Sequence, residues 1–214
     1  MRGGETLFSI AWGYGIDYKK IANLNNIKAP FRIFPDQALA LDKSSIKLSK
    51  SSTKVTKNPK KNRYIADRYK KANTHNKEIH QKDGHALGKG VNIDWTWPVV
   101  GKVIEKFSVK GIGNKGLDFS GNHGDRVNAA AKGNVVYSGS GLRGYGKLII
   151  IKHNDVFLSA YAHNSRIVVK EGDVVKAGEK IAEIGSSDTD KEKLHFEIRY
   201  RGKPVDPIRY LPRR

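Results

Sequence analysis

The spacing of apolar and polar positions divides the chain into three stretches of different character. In residues 5–41, apolar positions around Ile10 and again around Ile21 recur with helical spacing, which predicts two short helices. Residues 33–41 are predicted to form a short strand that contains a turn at Pro35-Asp36. The order helix, helix, strand predicts a small α+β module at this end of the chain.

The ends of both predicted helices carry residues that are suited to capping. Thr6 precedes the first helix, where its hydroxyl can accept a hydrogen bond from an unpaired backbone N–H group. Gly15 follows that helix and is predicted to end it in the left-handed conformation. Asp17 precedes the second helix in the same way as Thr6, and Asn25 closes it.

A long polar stretch follows the predicted helices. In residues 42–90, lysine, serine, threonine and asparagine dominate, and apolar residues are too sparse to form a core. We therefore predict that residues 43–90 form a basic, flexible linker. Three histidines in this stretch have no predicted scaffold around them and are interpreted as linker residues instead of metal ligands: His75, His80 and His85.

From residue 94 onward the pattern changes to short β-like runs, which glycine or polar turn residues separate. The runs are residues 103–104, 134–137, 147–151, 156–161, 167–169 and 193–199. Asn154-Asp155 suits a tight hairpin between two of them. Because no helical repeat intervenes, residues 91–214 are predicted to form a mainly β domain, an antiparallel sandwich or open barrel with a groove.

Charge adds a strong constraint, because the 214-residue chain carries a net charge of +19 and has a pI near 10.0. Such a chain is attracted to anionic polymers: nucleic acid, anionic lipid surfaces or cell-wall material. Single-stranded nucleic acid is bound by interleaved aromatic side chains. The basic stretch has only Tyr64 and Tyr69, so nucleic acid is not a predicted partner. The sequence also has no cysteine, which excludes disulfides and thiolate metal sites, and no apolar run of transmembrane length.

Two short segments carry the candidate chemistry, Asn114-Lys-Gly-Leu-Asp118 and Lys193-Leu-His195. Catalytic zinc needs three protein ligands and an open position for water, which a His-x-x-x-Asp segment and a His-x-His segment would supply. Here an amide, Asn114, and an ammonium group, Lys193, stand where histidines would be needed. A neutral amide oxygen is a poor zinc donor, and Lys193 would repel the ion while it compensates the Asp118 carboxylate. The residues therefore predict a site with no metal and no cofactor.

Two other histidines near these segments are not assigned to the site. His123 lies in residues 121–125, a segment that is predicted to turn away from Asp118. His153 precedes a hairpin turn and is predicted to be structural. Neither is predicted to replace a missing ligand.

The module in residues 1–42 resembles the LysM family, which binds N-acetylglucosamine-containing glycans such as peptidoglycan. The match rests on Gly4-Glu-Thr-Leu7, Ile10-Ala11, Tyr14-Gly15, Leu24-Asn25, Ile27 and Pro35-Asp-Gln-Ala-Leu39. The resemblance implies glycan binding by Thr6, Leu7, Asn25, Ile27 and Gln37. Asp36 stands where the family usually has glycine. The family also opens with a strand before this motif, so the module is expected to be truncated at its N terminus.

The β region resembles the LytM/lysostaphin-type zinc endopeptidases, which cut peptidoglycan peptides. The match rests on residues 95–98, 113–118, 129–136, 161–163 and 194–197. The resemblance places Asp118 and His195 at ligand positions and His163 at a catalytic position. It also implies that Asn114 replaces a ligand and Lys193 a catalytic histidine. The expected result is a degenerate peptidase homologue that does not hydrolyse peptide bonds.

Taken together, the two regions resemble the bacterial murein hydrolase activators that combine a LysM module with a degenerate LytM domain. This resemblance implies that the groove activates a periplasmic N-acetylmuramoyl-L-alanine amidase during septal splitting and daughter-cell separation. The expected groove residues are Arg143, Tyr145, His163 and Lys193. Members of this group are outer-membrane lipoproteins that face the periplasm, although this chain has no signal peptide or lipid-bearing cysteine. Two alternatives remain open: an active zinc endopeptidase, and a metal-independent scaffold that binds the cell wall.

Overall fold

The computed structural model describes residues 4–42, 93–108, 110 and 113–214. Residues Met1–Ile46 and Ile93–Arg214 form one compact unit, so the two predicted structured regions pack together. The predicted linker lies outside the described residues, and so do the three histidines assigned to it: His75, His80 and His85.

Both predicted helices are present, with the predicted caps. Helix α1 (Leu7–Tyr14) begins at Thr6, whose side chain accepts from the backbone of Ser9, and it ends at Gly15 in the left-handed conformation, φ 62°. Helix α2 (Tyr18–Leu24) begins at Asp17, whose carboxylate accepts from a backbone N–H group of its first turn. Among the described residues, no helix has the length and apolar character needed to cross a membrane.

The predicted strand in residues 33–41 is wrong, because no strand is formed within residues 4–42. The Asn25 side chain forms hydrogen bonds with backbone groups that a neighbouring strand would otherwise pair with. Its Oδ1 accepts from the N–H of Ala40 at 2.8 Å, and its Nδ2 donates to the carbonyl of Ala40 at 2.8 Å. A side-chain amide therefore replaces a partner strand at this position.

The β region forms two antiparallel sheets, which confirms the predicted mainly β fold. In the described residues its strands are β1 (Val103–Glu105), β2 (Leu117–Ser120), β3 (Arg126–Asn128), β4 (Gly133–Gly139), β5 (Leu148–Lys152), β6 (Phe157–Ala162), β7 (Asn164–Ile167), β8 (Val174–Val175), β9 (Lys180–Ile184), β10 (Lys193–Tyr200) and β11 (Lys203–Val205). The large sheet has the order β1-β2-β10-β6-β5-β4-β8, with β11 also paired to β10, and the small sheet has the order β3-β9-β7. A short 3-10 helix, Pro207–Arg209, follows β11.

The large sheet is buried on both faces, and each face has its own core. Successive residues of a strand point to opposite faces. Ile149 and Ile151 of β5 therefore belong to the core that also contains residues of the small sheet, while Leu148 and Ile150 belong to a second core that contains the helices. This second core explains why β5 is a continuous apolar run instead of an alternating one.

Candidate functional site

Strand β10 carries most of the candidate site on one face of the large sheet. Its alternate residues Leu194, Phe196 and Ile198 are fully buried in the core between the sheets. The residues between them point to the other face, toward the helices: Lys193, His195, Glu197 and Arg199. Strand β2 pairs with β10 so that His195 lies opposite Asp118, which brings the two predicted segments together.

Asp118 lies at the centre of the site and is 2% exposed. Its Oδ2 accepts from Nζ of Lys193 at 2.6 Å, and its Oδ1 is 2.7 Å from Nδ1 of His195. Nδ2 of Asn114 donates to Oδ1 at 3.3 Å. Burial alone would raise the pKa of Asp118, but the hydrogen bonds from His195 and Lys193 outweigh it and lower the pKa to about 2. Both carboxylate oxygens are thus occupied by donors.

His195 is held between two carboxylates. Its second ring nitrogen, Nε2, lies 3.2 Å from Oε1 of Glu197. Burial alone would lower the pKa of His195, but the hydrogen bonds to Asp118 and Glu197 raise it to about 9. At neutral pH the side chain is therefore an imidazolium that donates from both nitrogens.

Glu197 and Arg199 extend this arrangement along β10. Nε of Arg199 donates to Oε2 of Glu197 at 2.9 Å, and the hydroxyl of Tyr145 donates to Oε1 at 2.7 Å. Burial would raise the pKa of Glu197, but the bond from His195 and the charge of Arg199 lower it. The result is a row of alternating charges, here called the charge ladder: Lys193, Asp118, His195, Glu197 and Arg199. Sequence reasoning missed Glu197 and Arg199, although they lie two and four residues after His195 on a predicted strand, a spacing that places all three side chains on one face.

His163 and the glycine-rich loop lie beside the charge ladder. The His163 ring centroid is 6.1 Å from that of His195, and Nδ1 of His163 is 2.9 Å from the carbonyl of Ser187. Burial lowers the pKa of His163, which keeps its ring neutral at pH 7. The backbone N–H of His163 donates to the carbonyl of Tyr145 at 2.9 Å, so the loop is tied to β6. Arg143 in the same loop is exposed.

The two histidines that sequence reasoning set aside have other partners. His123 is exposed, and its Nδ1 lies 3.6 Å from the carboxylate of Glu192. His153 bonds through its two ring nitrogens to the carbonyl of Lys132 at 2.8 Å and the hydroxyl of Ser159 at 2.7 Å. Burial lowers the pKa of His153 to about 4, so this ring is a neutral structural group.

The residues of the site do not fit a catalytic zinc ion. In a chain without cysteine, zinc is bound by neutral imidazole nitrogens and carboxylate oxygens. Here His195 is protonated at both nitrogens, and the Lys193 ammonium lies against the Asp118 carboxylate, so a zinc ion would meet two positive groups. Within the described residues, no group of three or more histidine, aspartate or glutamate side chains has a metal-binding arrangement.

The predicted glycan-binding residues have structural roles in this arrangement. The Thr6 hydroxyl caps α1 and also donates to the carbonyl of Val136 at 3.2 Å, and Leu7 is fully buried. Asn25 bonds to Ala40, and Oε1 of Gln37 accepts from a backbone N–H group at 3.0 Å. Ile27 is partly buried against the second core. Glycan binding by these residues stays a prediction.

We expect the His195 imidazole to remain protonated well above neutral pH. Its folded pKa, about 9, lies above the ordinary value of 6.5. Its contribution to stability is therefore complete below pH 6.5 and is lost as the pH rises through 9. NMR titration of the ring should show this transition, and His195→Gln should flatten the stability profile between these pH values. A ring that titrates near 6.5 would contradict the assigned hydrogen bonds.

Comparisons with known proteins define the class of the two regions. Residues 112–207 match the peptidase family M23 model, and residues 2–42 match the LysM domain model. A zinc-containing peptidase from Vibrio cholerae is similar in structure, with a TM-score of 0.51 and 29% identity over 53% of this chain and 39% of that chain. Lysostaphin from Staphylococcus simulans has a TM-score of 0.51 and 28% identity over 56% of this chain and 53% of that chain. The chain thus combines a LysM domain with a LytM/lysostaphin-like β domain.

Curated relatives are similar to this chain over nearly its whole length. The lipoprotein NlpD/LppB homolog of Pseudomonas aeruginosa is 42% identical over 100% of this chain and 76% of that protein. The murein hydrolase activator NlpD of Escherichia coli is 39% identical over 100% of this chain and 67% of that protein. The chain therefore belongs to the NlpD/LppB family. The outer membrane antigenic lipoprotein B of Haemophilus influenzae is 41% identical over 98% of this chain, which spans 62% of that relative's length.

Proposed function

We propose that this protein is a non-catalytic activator of a peptidoglycan hydrolase, and that the hydrolase is a periplasmic N-acetylmuramoyl-L-alanine amidase. In this proposal the activation serves septal peptidoglycan splitting and daughter-cell separation. The relative from Escherichia coli carries the name murein hydrolase activator, which supports the general role. The identity of the hydrolase follows from the resemblance to activators of this type.

The observation that carries the proposal is the ion pair between Lys193 and Asp118. The Lys193 ammonium nitrogen lies 2.6 Å from a carboxylate oxygen of Asp118, the residue that the resemblance to the LytM/lysostaphin-type peptidases assigns to a metal-ligand position. Asp118 is buried, and removal of a counterion from a buried carboxylate is strongly unfavourable. The charge that zinc would neutralise is already neutralised by the chain itself. The site is therefore suited to binding a protein and not to activating water.

Binding to the cell wall is assigned to the N-terminal module. In this proposal residues 1–42 bind peptidoglycan, residues 91–214 bind the hydrolase, and residues 43–90 connect them. The net charge of +19 favours association with an anionic cell wall. We infer a periplasmic location at the outer membrane, which agrees with the name of the Haemophilus influenzae relative, an outer membrane lipoprotein.

The proposed partner surface lies beside the charge ladder. It comprises the glycine-rich loop with Arg143 and Tyr145, together with His163 and Lys193. Arg143 is exposed, whereas Tyr145 is partly buried and His163 is buried. An exposed arginine on a loop is suited to capturing an acidic segment of a partner, because a complementary charge mainly accelerates association.

Release of dye from labelled sacculi by a purified amidase tests the proposal. Addition of this protein should increase the rate, while the protein alone should release no dye. Arg143→Glu should reduce the stimulation about tenfold, through slower association. Lys176→Glu is the matched control, because it makes the same charge change on an exposed residue at the turn after β8. Equal stimulation by Arg143→Glu and the native protein would remove Arg143 from the partner surface.

The same assay separates the two alternative functions. A scaffold that only binds the wall would sediment with sacculi but leave the amidase rate unchanged. A zinc endopeptidase would retain stoichiometric zinc after purification and cleave wall peptides without an amidase. Either result would replace the activator assignment.

A further inference from the structure

The helices and the charge ladder occupy the same face of the large sheet. Arg199, the last member of the ladder, is 2% exposed. Its Nη1 donates to the carbonyl of Trp12 in α1 at 2.7 Å, and its guanidinium carbon lies 3.6 Å from the centroid of the Trp12 ring. Arg199 therefore joins the candidate site directly to α1.

The helical module, residues 4–42, contacts this face at several separate points. The Thr6 hydroxyl donates to the carbonyl of Val136 in β4, and Nζ of Lys19 lies 3.0 Å from the Asp155 carboxylate in the β5–β6 hairpin. A Cβ atom on Gly13 would lie 3.8 Å from Cδ2 of Leu142 in the glycine-rich loop. These contacts extend over β4, β5, β6 and β10, so the module covers a broad part of the sheet.

Most of the covered surface is apolar. The sheet contributes buried residues to the core that it shares with α1 and α2: Tyr137, Leu148, Ile150, Leu158, Ala160 and Ala162. On the module's side, Leu7, Ala11, Trp12 and Ile21 are almost completely buried. Without the module, these residues would form an exposed apolar patch, which is typical of a protein interaction site. If the module left, another apolar surface would have to cover the sheet.

Nothing in the covalent structure of the described residues fixes the module on the sheet. It is joined to the β region only through residues 43–92, it matches a domain model of its own, and the sequence has no cysteine. The contact is thus a non-covalent interface between two parts of one chain. Such interfaces can open when a competing surface offers comparable burial.

We propose that the helical module masks the hydrolase-binding face of the β region, and that the hydrolase and the module compete for this face. This inference rests on the proposed function, because it assigns the surface on which the hydrolase binds. The partner contributes an apolar surface that replaces Leu7, Ala11 and Trp12, and an acceptor that replaces the Trp12 carbonyl at Arg199. Its apparent affinity is reduced by the fraction of molecules in which the module is docked.

One substitution should open the interface without touching the site. Gly202, in the turn between β10 and β11, has φ +78°, and a Cβ atom there would lie 2.5 Å from the backbone nitrogen of Asp17. Asparagine tolerates this conformation better than other side chains. Gly202→Asn should therefore keep the turn and push the module away. Gly178→Asn is the matched control, because Gly178 has φ +76° and no atom within 4 Å of such a Cβ.

A second pair of substitutions should hold the interface closed. Gly13→Cys with Leu142→Cys places two thiols at the contact between α1 and the glycine-rich loop, in a chain that otherwise has none. A short bis-thiosulfonate reagent would connect them, and dithiothreitol would release them. The same double variant treated with a monofunctional thiosulfonate is the control for modification alone.

Amidase stimulation and hydrogen exchange of the α1 amides give the two readouts. Gly202→Asn should accelerate exchange in α1 and lower the concentration for half-maximal stimulation by about tenfold, whereas Gly178→Asn should match the native chain. The cross-linked variant should lose at least about tenfold in stimulation and regain it after reduction.

The outcomes distinguish the masking from the proposed function. If the native and cross-linked chains stimulate the amidase equally, masking is wrong and the activator role stands. If Gly202→Asn opens α1 without any gain in stimulation, masking is also wrong. A native chain that stimulates the amidase weakly and a Gly202→Asn variant that stimulates it more strongly support both proposals. If every form is inert, the proposed function fails, and the masking inference fails with it.

Discussion

Replacing Asn114 and Lys193 together by histidine should produce a chain that binds one zinc ion. The double variant has three ligand candidates near Asp118, because His195 already lies opposite that residue across the β2–β10 pair. It also removes the ammonium group from Asp118. Zinc at about a hundredfold excess over its dissociation constant should stabilise the folded chain by about 2.7 kcal/mol. The corresponding rise in Tm is about 5–10 °C for a protein of this size.

Metal analysis after dialysis and thermal unfolding with and without zinc would measure this effect. The two single variants are the controls. Asn114→His keeps the Lys193 ammonium on the carboxylate, and Lys193→His keeps the amide at position 114. Each should respond to zinc less than the double variant does. Retention of one equivalent of zinc by the native chain would show that the native residues do form a zinc site.

Arg199→Met should destabilise the chain by about 3–5 kcal/mol, because it leaves the buried Glu197 carboxylate without one of its two charged partners. Glu197 is fully buried and accepts from Nε of Arg199 at 2.9 Å, so without the guanidinium the His195 imidazolium is its one remaining charged partner among the described residues. The substitution also removes the contact with Trp12 in α1. The expected decrease in Tm is about 6–20 °C.

A double-mutant cycle, measured by urea unfolding, would separate the effect on Glu197 from the loss of the contact with Trp12. Glu197→Gln combined with Arg199→Met removes both charges, so it should recover a part of the stability that Arg199→Met loses. Arg201→Met is the control for loss of an exposed arginine, because Arg201 lies in the turn after β10. A change of less than about 1 kcal/mol for Arg199→Met would show that Glu197 does not depend on Arg199.

The local features of the fold could be predicted from the sequence because their signals are local. Thr6, Gly15 and Asp17 act within one turn of the helix that each residue bounds, and all three cap as predicted. The predicted strand in residues 33–41 failed because its stability depends on a distant partner. The Asn25 side chain forms hydrogen bonds with the backbone of Ala40, and the apolar pattern of residues 33–41 gives no sign of that contact.

In the candidate site, too, some contacts could be predicted from the sequence and others could not. The sequence predicted that Lys193 would compensate Asp118, and the structure shows the two groups in direct contact. Strand β2 carries Asp118 and was not predicted, because its four residues, Leu117–Ser120, are too few to show a clear alternating pattern. The extension of the ladder to Arg199 and then to Trp12 joins residues far apart in sequence. Such a contact arises from packing, which single-sequence patterns do not contain.

The shared core under α1 changes how deletion experiments on this chain must be interpreted. A shortened chain without residues 4–42 would lose its candidate glycan-binding surface, and it would also present bare Leu148, Ile150 and Leu158 to solvent. Poor solubility, self-association or unusually strong activity in such a fragment would then report an uncovered sheet. Point changes on the outer side of the module, at exposed residues such as Phe34, would test carbohydrate recognition without this complication.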